Sequence, residues 1–368
     1  MGGRVKVRTR SCQVFVDARQ CSLPLTGVGQ FCLSVLEHWP ANVPTPVSLT
    51  AGSSVPELPE PAWALNCGRA WPLVAAAVTL VRGGSFFSPA SFWVPALLGK
   101  RAVLTVHDVT PLTHPQWHNR RAVLGYKVAF RFAVRRVAKV IVPTRATANE
   151  LIKLVPSAAA KLVIVSYGPK PIREPVEAPK HASMKDLYAL YVGTVEPRKN
   201  VVPLVRAFLA AAPPDWHLHI AGSLGWLDSN ERAEFLRLCT NPRVTHHGYV
   251  TEAELERLYR STSIFCYVSG VEGFGLPVLE AMTYGLPVVH SDDPAIVEVA
   301  GGAGYTVGLG NLDADLRESF RTLTRDPGLR QQLTASSLER ARHFSWDTTS
   351  QAIANAVHVA STGTTPVS

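Results

Sequence analysis

The chain has 368 residues, of which 46% are hydrophobic and 18% are charged. This length exceeds what one hydrophobic core usually organises, and this composition excludes a disordered chain, so we expect a well-packed protein of two domains. The net charge of +9 is divided unevenly, because residues 1–180 carry 22 basic and 8 acidic side chains and residues 181–368 carry 15 and 20. This division predicts that the two halves meet different partners.

Neither a secretory signal nor a membrane-spanning segment is predicted. The basic start at Met1 is followed by no long apolar run, and the most apolar stretch, Trp71–Val81, is shorter than the ~20 residues that cross a bilayer. We interpret that stretch as a buried helix. The six cysteines form no Cys-x-x-Cys pair, and only His246 and His247 lie near one of them, Cys239. This pattern is typical of reduced thiols in a cytoplasmic protein and disfavours a metal site.

Apolar runs alternate with helix-like stretches along the whole chain. In the first half the predicted elements are strands at 12–17, 102–107 and 140–143, a helix at 30–39, and a basic helix before the last of these strands. In the second half they are strands at 188–192, 216–221, 263–268 and 287–290, and helices at 201–211, 229–239 and 277–284. This alternation favours an α/β fold with doubly wound parallel sheets, in which ligands bind beyond the carboxyl ends of the strands.

The boundary between the halves has the composition of a linker. Residues 168–180 include four prolines and few apolar side chains. We therefore predict an N-terminal domain at 1–170, a linker at 171–182 and a C-terminal domain at 183–345.

Residues 272–282, EGFGLPVLEAM, follow a predicted strand. Their two glycines allow a ligand to approach the backbone, and Pro277 suits the first turn of a helix, whose amides favour a phosphate. Glu272, expected on an exposed loop, and Glu280, in the second helical turn, would bind hydroxyls on either side of that phosphate. A solvated loop before an amphipathic helix is the alternative interpretation, but the coincidence of glycines, proline and two acids favours a binding site.

Residues 191–200, YVGTVEPRKN, also follow a predicted strand. Asn200 is expected to cap the next helix. Arg198 and Lys199 offer two cations that could stabilise a leaving diphosphate without a metal. A solvated basic pair is the alternative, and the position after a strand of the same domain favours the functional interpretation.

The first half contains weaker motifs. Gly27 and Gly29 form a lone G-x-G in the stretch TGVGQF, and His107 follows a predicted strand in VHDVTPLTHP. A histidine in such a place is often simply packed or hydrogen-bonded, so its context supports the catalytic interpretation only slightly.

Together these stretches resemble the retaining glycosyltransferases of family four, most strongly over residues 188–300. The resemblance implies the GT-B fold, with two Rossmann-like domains whose parallel sheets face each other across a cleft and a C-terminal helix, 346–361, that crosses back to the first domain. It implies metal-independent transfer of a hexose from a nucleotide-diphosphate sugar to a hydroxyl of a glycan or a lipid-linked acceptor, without a cofactor. A GDP-linked mannose or deoxyhexose such as rhamnose is the expected donor, with UDP-sugars as the alternative.

The resemblance also implies roles for single residues. The expected catalytic residues are His107, Arg198, Lys199 and Glu272. The expected donor-binding residues are Gly27, Gly29, Gly193, Tyr249, Val250, Gly273, Phe274, Gly275, Leu276 and Glu280. No metal ligand is expected, and front-face attack, in which the leaving phosphate takes the proton, is preferred because the first domain offers no obvious carboxylate nucleophile.

Other functions are compatible with parts of this pattern. A sugar-nucleotide epimerase can share the two-domain plan and would act without an acceptor. A nicotinamide dehydrogenase would need a third glycine after Gly27 and Gly29, and a two-domain sugar-binding protein would normally be exported.

The stretch from Arg120 to Lys153 carries nine basic residues and one acidic residue. The side chains predicted to form one basic ridge along a helix, because they recur every four positions, are Lys127, Arg131, Arg135 and Lys139. We predict that this ridge docks on an anionic membrane surface, which would place a cytoplasmic protein at the inner face of the cell membrane. A solvated basic helix is the alternative, and nucleic acid is disfavoured because no binding module is present.

Overall fold

The computed structural model describes residues 13–21, 27–52, 58–117, 120–172 and 187–362, except for the side chains of 120–126. The chain divides into two compact units, one formed by Met1–Gly168 with Trp346–Ser368 and the other by Pro169–Ser345. Most of the predicted linker lies outside the described residues. Among the helices that are described, none combines the length and the hydropathy needed to span a membrane.

The first unit is built on a seven-stranded parallel sheet. Its strands are β1 (Val14–Asp17), β2 (Val47–Thr50), β3 (Ala62–Ala64), β4 (Ser85–Ser88), β5 (Ala102–Thr105), β6 (Lys139–Val142) and β7 (Leu162–Ile164). Its helices before residue 169 are α1 (Gly27–Glu37), α2 (Trp71–Val81), α3 (Trp93–Leu98), α4 (Thr110–Thr113), α5 (Arg120–Arg136) and α6 (Arg145–Leu154). The strand order is β3-β2-β1-β4-β5-β6-β7, and Phe15 of β1 pairs with both Val47 and Phe86. The central strands are buried on both faces, as covered parallel sheets require.

The helix α2 has the predicted bounds, but the prediction that it is buried is wrong. Trp71, Ala75 and Thr79 recur every four residues and face the core. Leu80 and Val81, by contrast, are 53% and 86% exposed. Only one stripe of this helix is covered, because a helix lying on a sheet buries a single face.

The predicted basic ridge is partly wrong. Lys127, Arg131 and Arg135 lie on α5, which ends at Arg136. Lys139 instead opens β6 and pairs with Val103 of β5, so it cannot extend a helical ridge. The buried side chain of Val137 lies between the two elements and marks the change from helix to strand.

The second unit contains a six-stranded parallel sheet. Its strands are β8 (Tyr188–Val192), β9 (His217–Ala221), β10 (Val244–Gly248), β11 (Ile264–Tyr267), β12 (Val288–Ser291) and β13 (Tyr305–Val307). Its helices are α7 (Val201–Ala211), α8 (Ser229–Leu238), α9 (Glu252–Ser261), α10 (Leu276–Thr283), α11 (Pro294–Ala300), α12 (Leu312–Arg325) and α13 (Pro327–Ala341). The order β10-β9-β8-β11-β12-β13 reverses direction between β8 and β11. Ligands of doubly wound sheets bind at the carboxyl ends of the two strands that meet at such a switch point.

The last helix, α14 (Trp346–Thr362), belongs to the first unit and packs on α1 and on strands β4, β5 and β6. Ser350 Oγ donates to the Val35 carbonyl at 2.6 Å, and Thr349 Oγ1 donates to the Ser166 carbonyl at 2.6 Å. The predicted return of the C-terminal helix to the first domain is confirmed, and so is the expected pair of Rossmann-like parallel sheets.

Candidate active site at the switch point of the second sheet

The loop after β8 carries the two predicted cations. Pro197–Lys199 forms a single 3₁₀ turn, and Asn200 then adopts a left-handed conformation, with φ of 53°, before α7 begins. Asn200 occupies the N-cap position but does not cap the helix with its side chain, so that prediction is wrong. Its Nδ2 donates to the Val268 carbonyl at 2.8 Å instead, which ties the loop after β8 to the end of β11.

Glu272 follows β11 and receives three donors on one oxygen. Its Oε1 accepts from Arg198 Nη1 at 3.1 Å, from the Tyr267 hydroxyl at 3.0 Å and from Lys199 Nζ. The side chains of Glu272 and Lys199 are only 12% and 8% exposed. The expectation that Glu272 lies on an exposed loop is therefore wrong, because its carboxylate is drawn into a largely buried group of charges. The structure brings Arg198, Lys199 and Glu272 together at the switch point.

The charges of this group compensate one another. Burial alone would raise the pKa of Glu272, but the cations of Lys199 and Arg198 lower it below its ordinary value, so the carboxylate is ionised at neutral pH. Arg198 also pairs with Glu196 at 3.0 Å. A diphosphate that bound the two cations would replace Glu272 as their hydrogen-bond acceptor. The Glu272 carboxylate would then be available to accept from sugar hydroxyls.

Tyr267 is a site residue that the sequence analysis missed. It is the last residue of β11 and is 2% exposed, and its hydroxyl accepts from Lys199 Nζ at 2.6 Å while donating to Glu272. Its ring stacks on that of Tyr191 with centroids 6.3 Å apart. An aromatic residue inside an apolar strand is usually core, so only its place at the carboxyl end of a central strand could have marked it.

The segment that follows Glu272 and opens α10 holds four of the predicted donor-binding residues, Gly273, Phe274, Gly275 and Leu276. Gly275 has a φ of 93°, which a residue with a side chain rarely adopts, and occupies the N-cap position of α10. The side chain of Phe274 is buried and packs edge-on against Phe344, with centroids 6.0 Å apart. The backbone of this segment is thereby fixed where α10 begins.

Asp293 supports this segment from the neighbouring helix. Its Oδ1 accepts from the amides of Ala295 and Ile296 at 3.1 Å and caps α11, and its Oδ2 accepts from the amide of Glu272 at 3.4 Å. Burial raises the pKa of Asp293 to about 6, with the negative charge of Glu272 adding to the shift and the amide donors opposing it.

The raised pKa of Asp293 predicts a stability that depends on pH. A carboxyl group whose folded pKa exceeds its ordinary value stabilises the fold at acid pH, and that contribution is lost as the pH rises through about 6. The free energy of unfolding of the wild type, relative to Asp293→Asn, is expected to fall by about 2 kcal/mol between about pH 4 and about pH 7. Denaturant titrations over this range measure the difference.

Asp326→Asn is the matched control, because Asp326 caps α13 through the Leu329 amide at 2.8 Å and is exposed. A difference for Asp293→Asn that stayed constant with pH, or that turned in favour of the wild type at higher pH, would contradict the prediction.

Glu280 lies apart from the charge group, on α10. It is 8% exposed, and its Oε2 accepts from the Tyr259 hydroxyl at 3.0 Å. Burial raises the pKa of Glu280, while the cation of Lys170 opposes the shift. The carboxyl lines a depression of the second unit together with Lys170, Glu252 and Tyr284. A nearly buried carboxyl at the wall of a depression suits the recognition of hydroxyl groups.

The loop between β10 and α9 carries Tyr249, which is 76% exposed, and Val250. His246 Nε2 lies 2.8 Å from the Gly222 carbonyl, and the Gly222 amide donates to the Gly248 carbonyl at 2.8 Å. A Cβ at Gly222 would lie 2.0 Å from the carbonyl oxygen of Gly193, so the ends of β8 and β9 approach each other as closely as glycines allow. The Tyr249 loop is thus held at the end of β9, and Gly222 in turn lies against Gly193, which follows β8.

The remaining predicted residues belong to the first unit. Gly27 opens α1, and Gly29 is buried in its first turn. The ring nitrogens of His107 are both engaged, with Nδ1 2.7 Å from the Tyr167 hydroxyl and Nε2 2.8 Å from the Pro89 carbonyl. Because a carbonyl can only accept, Nε2 carries the proton and Nδ1 accepts from tyrosine. Burial lowers the pKa of His107, which favours this neutral form.

Within the described ranges, no group of three or more His, Cys, Asp or Glu side chains is placed to hold a metal ion.

Comparison with known proteins identifies the family. The model described as Glycosyltransferase Family 4 matches residues 36–169, and the model described as Glycosyl transferases group 1 matches residues 173–340. The O-antigen chain mannosyltransferase B of Escherichia coli is 31% identical over 270 residues, which cover 70% of each chain. A D-inositol 3-phosphate glycosyltransferase of Kineococcus radiotolerans is 30% identical over 258 residues, covering 62% of this chain and 58% of the relative.

Solved structures agree at the level of the fold. HepE of Anabaena, in complex with UDP-glucose, aligns with a TM-score of 0.71 at 18% identity and covers 93% of this chain and 97% of its own. WaaG, a glycosyltransferase involved in lipopolysaccharide biosynthesis, aligns with a TM-score of 0.69 at 16% identity and covers 93% and 98%. With the two family models and the mannosyltransferase relative, these matches confirm the GT-B fold class, and the chain belongs to the family-four, group 1 glycosyltransferases.

Proposed function

We propose that the chain transfers a hexose, mannose or a deoxyhexose such as rhamnose, from a nucleotide-diphosphate sugar to a hydroxyl of a glycan or lipid-linked acceptor in polysaccharide or glycolipid synthesis. The observation that carries this proposal is the meeting of Arg198, Lys199 and Glu272 at the switch point between β8 and β11. The name of the mannosyltransferase relative supports mannose, and the UDP-glucose complex of HepE supports a nucleotide sugar.

We propose a retaining, metal-independent mechanism for this transfer. Arg198 and Lys199 would hold the diphosphate, together with the backbone amides before Pro277. They would stabilise the negative charge that grows on the phosphate as its bond to the sugar breaks. Glu272 would accept from hydroxyls of the donor sugar. The acceptor oxygen bonds to the anomeric carbon on the face from which the phosphate departs, and the leaving phosphate oxygen takes the acceptor proton. His107, in its neutral form, is proposed to contact the donor sugar.

The nucleotide is proposed to bind along the second unit. Glu280 would accept from the ribose hydroxyls, because it is a nearly buried carboxyl on the wall of a depression. Tyr249 and Val250 would contact the base. The donor is proposed to be GDP-linked. Gly27 and Gly29 are proposed to approach the donor phosphate from the first unit.

A panel of nucleotide sugars and acceptors tests the proposal. GDP-mannose is expected to raise the unfolding temperature more than UDP-sugars do, because the ligand that binds most tightly stabilises the fold most by mass action. GDP release should require an acceptor hydroxyl, and NMR of the product should show the anomeric configuration of the donor. Sugar isomerisation without an acceptor would indicate an epimerase and contradict the proposal.

We also propose that the protein works at the inner face of the cell membrane, where a lipid-linked acceptor would be presented. The support is the charge of residues 120–153, in which Arg135 and Arg136 are exposed near the end of α5. Anionic headgroups attract such side chains by about 1 kcal/mol each at low salt.

A further inference from the structure

Three neighbouring helices of the first unit leave large apolar side chains uncovered. α3 packs against both α2 and α5, and the inner sides of all three helices join one hydrophobic cluster. Their uncovered residues, which we call the apolar face, are Leu73 (63% exposed), Leu80 (53%), Val81 (86%), Trp93 (53%), Leu97 (47%), Val128 (70%) and Phe132 (49%). These are seven of the twelve exposed large hydrophobic side chains among the described residues, so the exposure is concentrated on these three neighbouring helices.

Sequence periodicity explains why these residues face outward. On α5, Val128 and Phe132 are four residues apart and lie on the side opposite the buried Ala133 and Val134. On α2, no charged residue occurs at all, so its outer stripe is as apolar as its inner one. A solvent-facing stripe is normally polar, and contiguous exposed apolar surface marks a site of interaction.

The sequence segment that carries the apolar face is basic. Residues 61–149 contain twelve basic side chains and a single acidic one, Asp108. The Arg136 guanidinium lies 5.0 Å from the centre of the Phe132 ring, and Lys161 Nζ donates to the Val134 carbonyl at 3.3 Å at the end of the same helix. Burial lowers the pKa of Lys161, and the positive charge of Lys100 adds to this shift. Cations therefore crowd at one end of the apolar face.

We propose that the apolar face inserts into the boundary between the headgroups and acyl chains of an anionic bilayer, with the neighbouring cations on the lipid phosphates. This inference rests on the proposed membrane location, for which charge alone was the support. It adds helices α2 and α3 to the membrane-binding surface and adds a contribution from buried apolar side chains. A second copy of the chain fits this surface poorly, because a symmetric interface would bring like cations together. The combination of exposed Trp, Phe and Leu with Lys and Arg is that of interfacial membrane elements.

The salt dependence of vesicle binding distinguishes insertion of apolar side chains from attraction by charge alone. At about 1 M salt the Debye length is roughly 3 Å, so contacts of exposed cations with lipid phosphates are largely screened, whereas burial of apolar surface is not weakened. Binding of the wild type to vesicles of phosphatidylglycerol and phosphatidylcholine is therefore expected to decrease with salt but to persist at about 1 M.

The test compares three proteins in sedimentation with these vesicles. The apolar variant carries Leu80→Gln, Trp93→Gln and Phe132→Gln, and the matched control carries Trp226→Gln and Leu236→Gln, two similarly exposed residues of the second unit. The apolar variant is expected to lose vesicle affinity by about 100-fold, at low salt as well as at about 1 M salt, since each side chain contributes roughly tenfold or less. The control is expected to bind like the wild type.

Equal binding of the apolar variant and the wild type would overturn the proposal. So would complete release of the wild type at high salt, or a wild-type dimer that the apolar substitutions dissociate. Stabilisation by nucleotide diphosphates and GDP release with a soluble acceptor are expected to be unchanged in the apolar variant. Failure of those two readouts in the wild type would count against the proposed transferase and not against insertion.

Discussion

Replacing Glu272 with glutamine is expected to lower the rate of sugar transfer by about 100- to 1000-fold without weakening the binding of the nucleotide diphosphate. The carboxylate is the proposed acceptor for hydroxyls of the donor sugar, and an amide cannot supply the same charge. Its bonds to Arg198 and Lys199 also compete with a diphosphate for the same cations. Removing that competition should leave nucleotide affinity unchanged or raise it.

Glutamine is the substitution of choice because the Glu272 carboxylate lies inside a charge group. Alanine would leave Lys199, which is only 8% exposed, with no acceptor at position 272, whereas the amide oxygen of glutamine can still accept its hydrogen bond. Removing one partner of a buried pair outright costs about 3–5 kcal/mol of stability. Loss of activity in Glu272→Ala would then mix chemistry with unfolding.

Steady-state rates and calorimetric titration with GDP and UDP measure the two effects of Glu272→Gln. Glu234→Gln is the control, because Glu234 accepts from Arg206 at 2.6 Å on the exposed side of the same unit. Transfer at a near-normal rate, or a large loss of nucleotide affinity together with the rate, would contradict the assigned role.

Replacing either cation should weaken nucleotide binding, which Glu272→Gln should not do. Arg198→Gln and Lys199→Met are each expected to weaken binding of the nucleotide diphosphate by about 30- to 700-fold, which corresponds to about 2–4 kcal/mol. Each is also expected to lower the rate of transfer. The reason is that a desolvated phosphate oxygen loses a charge-assisted donor. Lys199 is expected to show the larger loss, since it is the more deeply buried of the two.

The same titrations measure nucleotide affinity in these variants, with Arg206→Gln as an exposed control. A chelator is expected to leave the wild-type rate unchanged, because the two cations are proposed to supply the positive charge. Restoration of a chelated enzyme by a divalent ion would show that the metal-independent mechanism is wrong.

The sequence predicted which residues meet at the candidate site more readily than it predicted their contacts. Glu272, Arg198 and Lys199 were predicted because each follows a strand at the sheet edge where ligands bind. Their direct pairing was not predicted, because it depends on which rotamers three long side chains adopt in a confined space. Tyr267 was missed because an aromatic residue within an apolar strand is usually core, and only its place at the carboxyl end of the strand distinguishes it.

The fold was predictable where the pattern was long and regular. The helices at 71–81 and 201–211 have their predicted bounds, and parallel sheets followed from the alternation of strands and helices. Short strands such as β2 and β4 were not predicted, because each has four residues among prolines, glycines and serines. Periodicity also could not show that α2 is covered on one face only, because both of its faces are apolar.

The division of the chain has a consequence for its synthesis. The first unit is complete only when α14 is in place, and the bond between Ser350 and Val35 joins residues 315 positions apart. A growing chain therefore emerges from the ribosome with α1 and strands β4 to β6 still lacking the helix that covers them. The second unit, formed by a continuous segment, is available to fold before the first is finished. Chains that terminate early would expose the uncovered sheet, so loss of the last helix is expected to cause aggregation, not merely lower activity.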